Sequence, residues 1–299
     1  MTATESAVPL AGLLAEVSSP SDAVTFVPAA GAISLPAASS DLVALGATCA
    51  GVVAAMMTLL WLLSVAKRDA SIVDPFWGSG FVVVAWVAGL WFDFAHSRAY
   101  LLTGLTTLWG LRLSLYLLWR NAGKGEDFRY RAMREKHGAN FWWVSFFTVF
   151  LLQGIIMWLV SWPVQFGQAA TAPPLGWLDA AGAVVCLIGI LFEGVGDLQL
   201  ARFKADPANQ GRVMDRGLWR YTRHPNYFGD FCVWWGLYLV AAASGAWWTL
   251  PAPLLMSFFL IRVSGVPMLE KSLVERRAGY REYVARTSSF FPWPPKRAS

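Results

Sequence analysis

Charge is what this sequence has least of. Only 14% of its 299 residues are Asp, Glu, Lys or Arg, and 56% are hydrophobic, where soluble domains carry roughly 25% charged residues. The mean hydropathy of +0.47 points the same way. Cysteine is nearly absent. Cys49, Cys186 and Cys232 stand in apolar segments with no CxxC pairing, which excludes a disulfide framework and leaves them as small core hydrophobes. The three histidines, His96, His137 and His224, form no His/Cys metal cluster. No GxSxG, Walker A or HExxH is present. The stretch Gly194-Val-Gly196-Asp-Leu-Gln199 lacks the third glycine of a dinucleotide fingerprint and lies in an apolar helix, not after a strand.

Long apolar runs, by contrast, extend from one end of the chain to the other. A bilayer core roughly 30 Å thick takes about 20 residues of helix per crossing. A membrane β-barrel would show alternating segments of about ten residues, and these runs are continuous. The fold class is therefore an all-α integral membrane protein, a seven-transmembrane helix bundle with spans expected at about 42–66, 72–92, 99–119, 141–162, 175–200, 226–244 and 247–270. Residues 1–40 are Ala/Ser/Pro-rich and lack Lys and Arg, unlike the basic start of a secretory leader. They are expected to form a loosely ordered extension ahead of a 41–299 membrane domain.

Basic residues give the orientation. Lys67 and Arg68 mark the first connection, and Arg98 is alone in the second. The third holds Arg120, Lys124, Arg129, Arg131, Arg134 and Lys136, and the fourth holds none. The fifth holds Arg202, Lys204, Arg212, Arg216, Arg220 and Arg223, the sixth none, and the tail after 270 seven. This alternation places the N-terminus outside and the C-terminus in the cytoplasm. The net charge of +5 is then a topological bias, so nucleic acid is not an expected partner, and no obligate protein partner is implied.

Arg112 and Arg262 lie within apolar spans, about a third of the way in from the basic end. Charges at that depth cost at least ~2.5 kcal/mol and usually pair or line a wet cavity. Asp74, Glu193, Asp197, Asp230 and Glu270 sit at comparable depth, and the i,i+4 pair Glu193 and Asp197 shares one helix face. The set predicts a polar cavity open to the cytoplasm. Ahead of the sixth span runs Gly217-Leu-Trp-Arg220-Tyr221-Thr-Arg223-His224-Pro225-Asn226-Tyr227-Phe-Gly229-Asp230. Aromatics alternate there with arginines, and a proline then opens a helix at its first turn. Arginine forks beside a helix N-terminus suit phosphate, and the aromatic faces suit a stacked base.

At these residues the chain resembles the steroid 5α-reductase and sterol reductase superfamily, and within it the bacterial DUF1295-type branch. The similarity runs from the second span to the C-terminus. It is densest at Gly217–Asp230, at Arg112, at Glu193–Asp197, and at Arg262–Glu270 with Gly279-Tyr-Arg-Glu-Tyr283. Such proteins reduce an electron-poor carbon–carbon double bond with NADPH inside a seven-helix bundle. The resemblance implies cofactor contacts at Arg112, Glu193, Asp197, Lys204, Arg212, Tyr221, Arg223, His224, Asn226, Tyr227, Asp230, Arg262 and Glu270. Where vertebrate relatives polarise the substrate carbonyl with a glutamate and a tyrosine, this chain has Asp74 and Trp109, and tryptophan cannot protonate a carbonyl. Ile72-Val-Asp74-Pro-Phe-Trp77 and Gly125-Glu-Asp-Phe-Arg129-Tyr130 look characteristic of the bacterial branch. The expectation is a cytoplasm-facing reductase of the bacterial inner membrane, acting on a lipophilic enone that arrives from the surrounding membrane lipid, with a neutral Asp74 donating to its carbonyl.

The rival reading is a methyltransferase of the isoprenylcysteine carboxyl type. Those enzymes share an Arg-His-Pro-x-Tyr stretch and a late glutamate, and bind S-adenosylmethionine. A small transporter would instead place polar residues and broken helices at the bilayer midplane, and here the charges keep to one side.

Overall fold

The computed structural model describes residues 39–169, 174–263 and 279–296. Among these residues the chain is almost wholly helical, with one isolated parallel bridge between Thr222 and Ser288. In order the helices are α1 (Ser39–Lys67), α2 (Val73–Trp91), α3 (Ser97–Asn121), α4 (Phe128–His137), α5 (Phe141–Ser145), α6 (Leu152–Val160), α7 (Trp162–Phe166), α8 (Trp177–Ala205), α9 (Pro225–Ala243), α10 (Pro251–Phe258) and α11 (Tyr280–Arg286). Five stretches are long and apolar enough to cross a membrane: Ser39–Lys67, Ala70–Trp91, Ser97–Asn121, Phe128–Val160 and Trp177–Ala205. Trp247–Val263 is a shorter apolar helix. The expected extension over 1–40 lies outside the described residues except for Ser39 and Ser40, which begin α1, and the end of the seventh span and Glu270 also lie outside them.

The outer faces of these helices are apolar and bare. Leu59, Leu115 and Leu191 are each about two-thirds exposed, a surface that suits lipid and not water. The fourth stretch begins earlier than its hydropathy indicates. The Asp127 side chain accepts from the Arg129 amide and caps α4, so an amphipathic turn precedes the apolar run. Within that run the π turn Phe146–Leu151 joins α5 to α6.

Glycine sets the closest helix approaches. A methyl group added at Gly189 would meet the Gly229 carbonyl at 2.5 Å, and one at Gly182 would meet that of Gly236 at 2.7 Å. The seven-residue spacing Gly182, Gly189, Gly196 on α8 matches Gly229, Gly236 on α9, so the two helices touch backbone to backbone along one seam. Gly78 and Gly110 bring α2 and α3 together in the same way.

Ion pairs at two levels fix α3 against α8. Near one end Arg98 makes a fork to Asp179, with Nε to Oδ1 at 2.7 Å and Nη2 to Oδ2 at 2.8 Å, both side chains being buried. Near the other end Arg112 pairs with Glu193. Arg98 and Arg112 are fourteen residues apart on α3, as Asp179 and Glu193 are on α8, about 21 Å of helix at 1.5 Å per residue. The two helices therefore run parallel in one register. Arg98, expected in a loop, is thus a buried member of the bundle.

Candidate functional site

The seam between α8 and α9 and the register of α3 converge on one polar cluster. Arg112 is ion-paired to Glu193 and reaches Asp197 through Nη1 at 2.8 Å. The two acidic side chains are nearly enclosed, at 5% and 7% exposure, while Arg112 keeps 21%. Trp109 Nε1 donates to Glu193 Oε2 at 2.9 Å, and Tyr116 Oη donates to the Asp197 carbonyl at 3.4 Å. Asp230 comes from α9, where neighbouring Gly229 lies against the Glu193 backbone. It is within electrostatic reach of Arg112, Glu193 and Asp197. Its Oδ1 is enclosed, and the indole of Trp234, four residues on, is its nearest donor. Three carboxylates thus surround one guanidinium.

An aromatic wall backs the cluster. Trp109 and Trp234 pack edge to face at 5.4 Å, Phe81 lies 4.5 Å from Trp234 and 5.7 Å from Trp109, and Trp77 continues the row. Trp109 is 1% exposed. Its N–H points at Glu193, so this residue positions a carboxylate and offers no acid to a substrate.

Beyond Trp77 lies a second polar group. Asp74 Oδ2 accepts from Arg129 Nη2 at 2.6 Å and Oδ1 from Tyr130 Oη at 2.7 Å. Gln153 Nε2 donates to Tyr130 Oη at 3.4 Å, and Gln153 Oε1 accepts from Trp77 Nε1. Both Asp74 oxygens thus face donors, the Arg129 guanidinium and the Tyr130 phenol. Tyr227 lies between the two clusters, within electrostatic reach of Arg129 on one side and of Asp197 and Asp230 on the other.

The loop after Asn121 is anchored beneath the second group. Glu126 accepts from Arg134 at 2.8 and 2.9 Å and from the Ala70 amide at 2.8 Å. Burial alone would raise its carboxyl, but those hydrogen bonds and the Arg134 charge hold it below the ordinary glutamate value. Asp127 behaves likewise: burial is outweighed by the hydrogen bonds and charge of Arg129.

The motif ahead of α9 is used differently from its sequence reading. Arg223 and His224 are buried. Arg223 Nη1 donates to the Val284 carbonyl at 3.1 Å and to that of Thr287, and its backbone amide donates to Ser288. Thr222 Oγ1 donates to the Phe290 carbonyl at 2.7 Å, the Trp293 amide donates to Tyr221, and Tyr283 Oη donates to Trp219. Arg223 is thus a clasp for the C-terminal segment, and His224 stacks on Tyr227 with centroids 5.4 Å apart. Spacing in sequence does not reveal which way a side chain turns.

Of the residues singled out from sequence, the fold brings together Trp109, Arg112, Glu193, Asp197 and Asp230, with Asn226 and Tyr227 at the start of α9 beside Gly196. Lys204 is exposed in the last turn of α8, Arg212 and Tyr221 are exposed on the connection from α8 to α9, and Arg262 is exposed at the end of the π turn Phe259–Val263. Sequence reasoning did not single out Trp234, Gln153 or the Arg98–Asp179 pair, since nothing local distinguishes them. Tyr130 stood in a quoted motif without a role.

Over the described residues, fold and site together define a nearly all-helical chain with five helices long and apolar enough to cross a membrane and an enclosed acid–arginine cluster. The chain belongs to the family described as Protein of unknown function (DUF1295), whose model matches residues 60–287. It is similar to an uncharacterized protein of Schizosaccharomyces pombe, 26% identical over 267 aligned positions that cover 78% of this chain and 76% of that one. No solved structure matches it.

Proposed function

We propose that the protein is a membrane-embedded, NADPH-dependent reductase of an activated carbon–carbon double bond in a lipophilic substrate, a steroid-like or isoprenoid enone. In this reading α9 and Trp247–Val263 complete seven crossings, with the C-terminus and the site on the cytoplasmic side. The observation that carries the proposal is the enclosed set of Glu193, Asp197 and Asp230 around Arg112. Carboxylate oxygens accept several hydrogen bonds each, so a ligand presenting hydroxyl or amide donors is favoured there. The ribose hydroxyls and nicotinamide carboxamide of NADPH are such donors, and its phosphates suit exposed Arg212 and Arg220 on the adjoining loop.

Bound NADPH supplies the hydride. The chain's own residues supply the rest. Arg112 holds the two α8 carboxylates in place, Trp109 and Phe81 exclude water, and Tyr130 carries the proton for the substrate carbonyl. Asp74 and Arg129 orient that phenol. Asp74 is then a positioning residue and Tyr130 the acid.

One observation favours the methyltransferase alternative. Three carboxylates against one arginine leave the cluster negative, which suits a cationic ligand such as S-adenosylmethionine. Thermal unfolding of the purified full-length protein separates the two, because a ligand that binds only the folded state stabilises it by RT ln(1 + [L]/Kd), about 2.7 kcal/mol at a hundredfold excess over Kd. The reductase reading expects stabilisation by NADPH that weakens in Asp230→Asn. Stabilisation by S-adenosylmethionine alone overturns it.

A further inference from the structure

A cavity of about 470 Å³ opens where the end of α1 meets the corner between α4 and α5, away from the acid–arginine cluster. Two arginines line it, Arg68 and Arg134, together with Phe141, Trp142, Ser64 and Ser145. Arg68 stands in the left-handed backbone region at φ 54°, a conformation that costs a non-glycine residue about 1–2 kcal/mol. There it closes α1, the Asp69 amide bonding back to the Ser64 carbonyl at 3.0 Å. Its guanidinium makes no ion pair or hydrogen bond among the described residues. Arg134 commits Nε and Nη2 to Glu126 and stacks over the Phe141 ring at 4.5 Å, which leaves Nη1 uncommitted.

The two nearby acids do not compete for the cavity. Glu126 also accepts from the Ala70 amide, and Asp69 from the Ser71 amide and hydroxyl. Trp142 and Trp143 are about half exposed beside it, and Trp61 Nε1 donates to the Trp142 carbonyl at 2.6 Å. Tryptophans of this kind mark the headgroup level of a bilayer. The cavity also lies at the end of the bundle where Lys67, Arg68 and the basic α4 segment cluster.

We propose that this cavity binds the phosphate of an anionic phospholipid headgroup, with Arg68 as the principal ligand and Arg134 Nη1 as the second. The Arg68 guanidinium fork together with the Arg134 Nη1 donor suits a tetrahedral anion, and basic pockets between membrane helices take anionic headgroups. A bound lipid would bridge α1 to the α4–α5 corner.

Native mass spectrometry of the full-length protein in mild detergent tests this. Phosphatidylglycerol, phosphatidylcholine and inorganic phosphate are titrated in turn against the wild type, Arg68→Gln and Lys67→Gln. Lys67 carries the same charge one residue earlier but does not line the cavity, so it controls for diffuse attraction. The expected result is selective retention of phosphatidylglycerol over phosphatidylcholine, weakened at least fivefold in Arg68→Gln and unchanged in Lys67→Gln. Equal losses in both variants, or equal binding of the two lipids, overturns the site. Binding of inorganic phosphate with phosphatidylglycerol ignored overturns the lipid assignment. None of these outcomes depends on NADPH, so the proposal stands or falls apart from the reductase reading.

Discussion

Replacing Arg112 by methionine should cost far more stability than replacing either of its acidic partners. The wild-type cluster sets one guanidinium against Glu193 and Asp197, with Asp230 close by. Arg112→Met leaves three nearly enclosed carboxylates with no cation. Breaking a buried ion pair by removing one partner costs about 3–5 kcal/mol, a factor of roughly 10²–10³ or more in the folding equilibrium. Glu193→Gln removes one of three negative charges, while Arg112 keeps Asp197 at 2.8 Å and the new amide oxygen can still accept from Trp109. That change should cost about 1 kcal/mol, the net value of one hydrogen bond. The double variant should recover part of the loss, with a coupling of about 1–3 kcal/mol, as contacting pairs show. Unfolding by sodium dodecyl sulfate in mixed micelles, followed by circular dichroism, measures all three. If Arg112→Met costs no more than Glu193→Gln, or if the two losses simply add, the cluster is not organised around that arginine.

Gly189→Ala should destabilise by about 1–3 kcal/mol through overpacking, because its methyl would lie 2.5 Å from the Gly229 carbonyl. Gly51→Ala, with nothing within 4 Å, should be neutral or stabilising by up to about 1 kcal/mol; the same micelle titration compares them. Tyr130→Phe should abolish turnover of a supplied enone while leaving NADPH binding within twofold, whereas Asp74→Asn should lower turnover partially, both by stopped-flow and equilibrium titration. Glu126 and Asp127 are held below their ordinary values, so their contribution to stability is fully present above the unfolded carboxylate range near pH 4. It is lost as pH falls through that range toward the folded values. Thermal unfolding between pH 7 and 3 should show that loss, and Glu126→Gln should flatten it.

The first five spans were legible because a continuous apolar run of that length has no other stable use. The pairing of Arg112 was legible too, since a charge at that depth needs a partner and Glu193 and Asp197 share a helix face. Partners across the bundle were not. Arg98 reads as a loop residue until Asp179, eighty-one positions later, is brought to it by the parallel register of α3 and α8. The glycine spacing that sets the α8–α9 seam is present in the sequence, but spacing alone does not say which helix a glycine row meets. Arg223 illustrates the limit most clearly. Its motif suggests an anion ligand, and only the return of the C-terminal segment turns it onto backbone carbonyls.

The most direct test of the central claim follows the hydride itself. Membranes carrying the protein are incubated with NADPH tritiated at its transferable position, and lipids are extracted. The account predicts tritium in the organic phase with the wild type and none with Tyr130→Phe or Arg112→Met. Label that enters lipid only from the methyl group of S-adenosylmethionine, and never from NADPH, would contradict it.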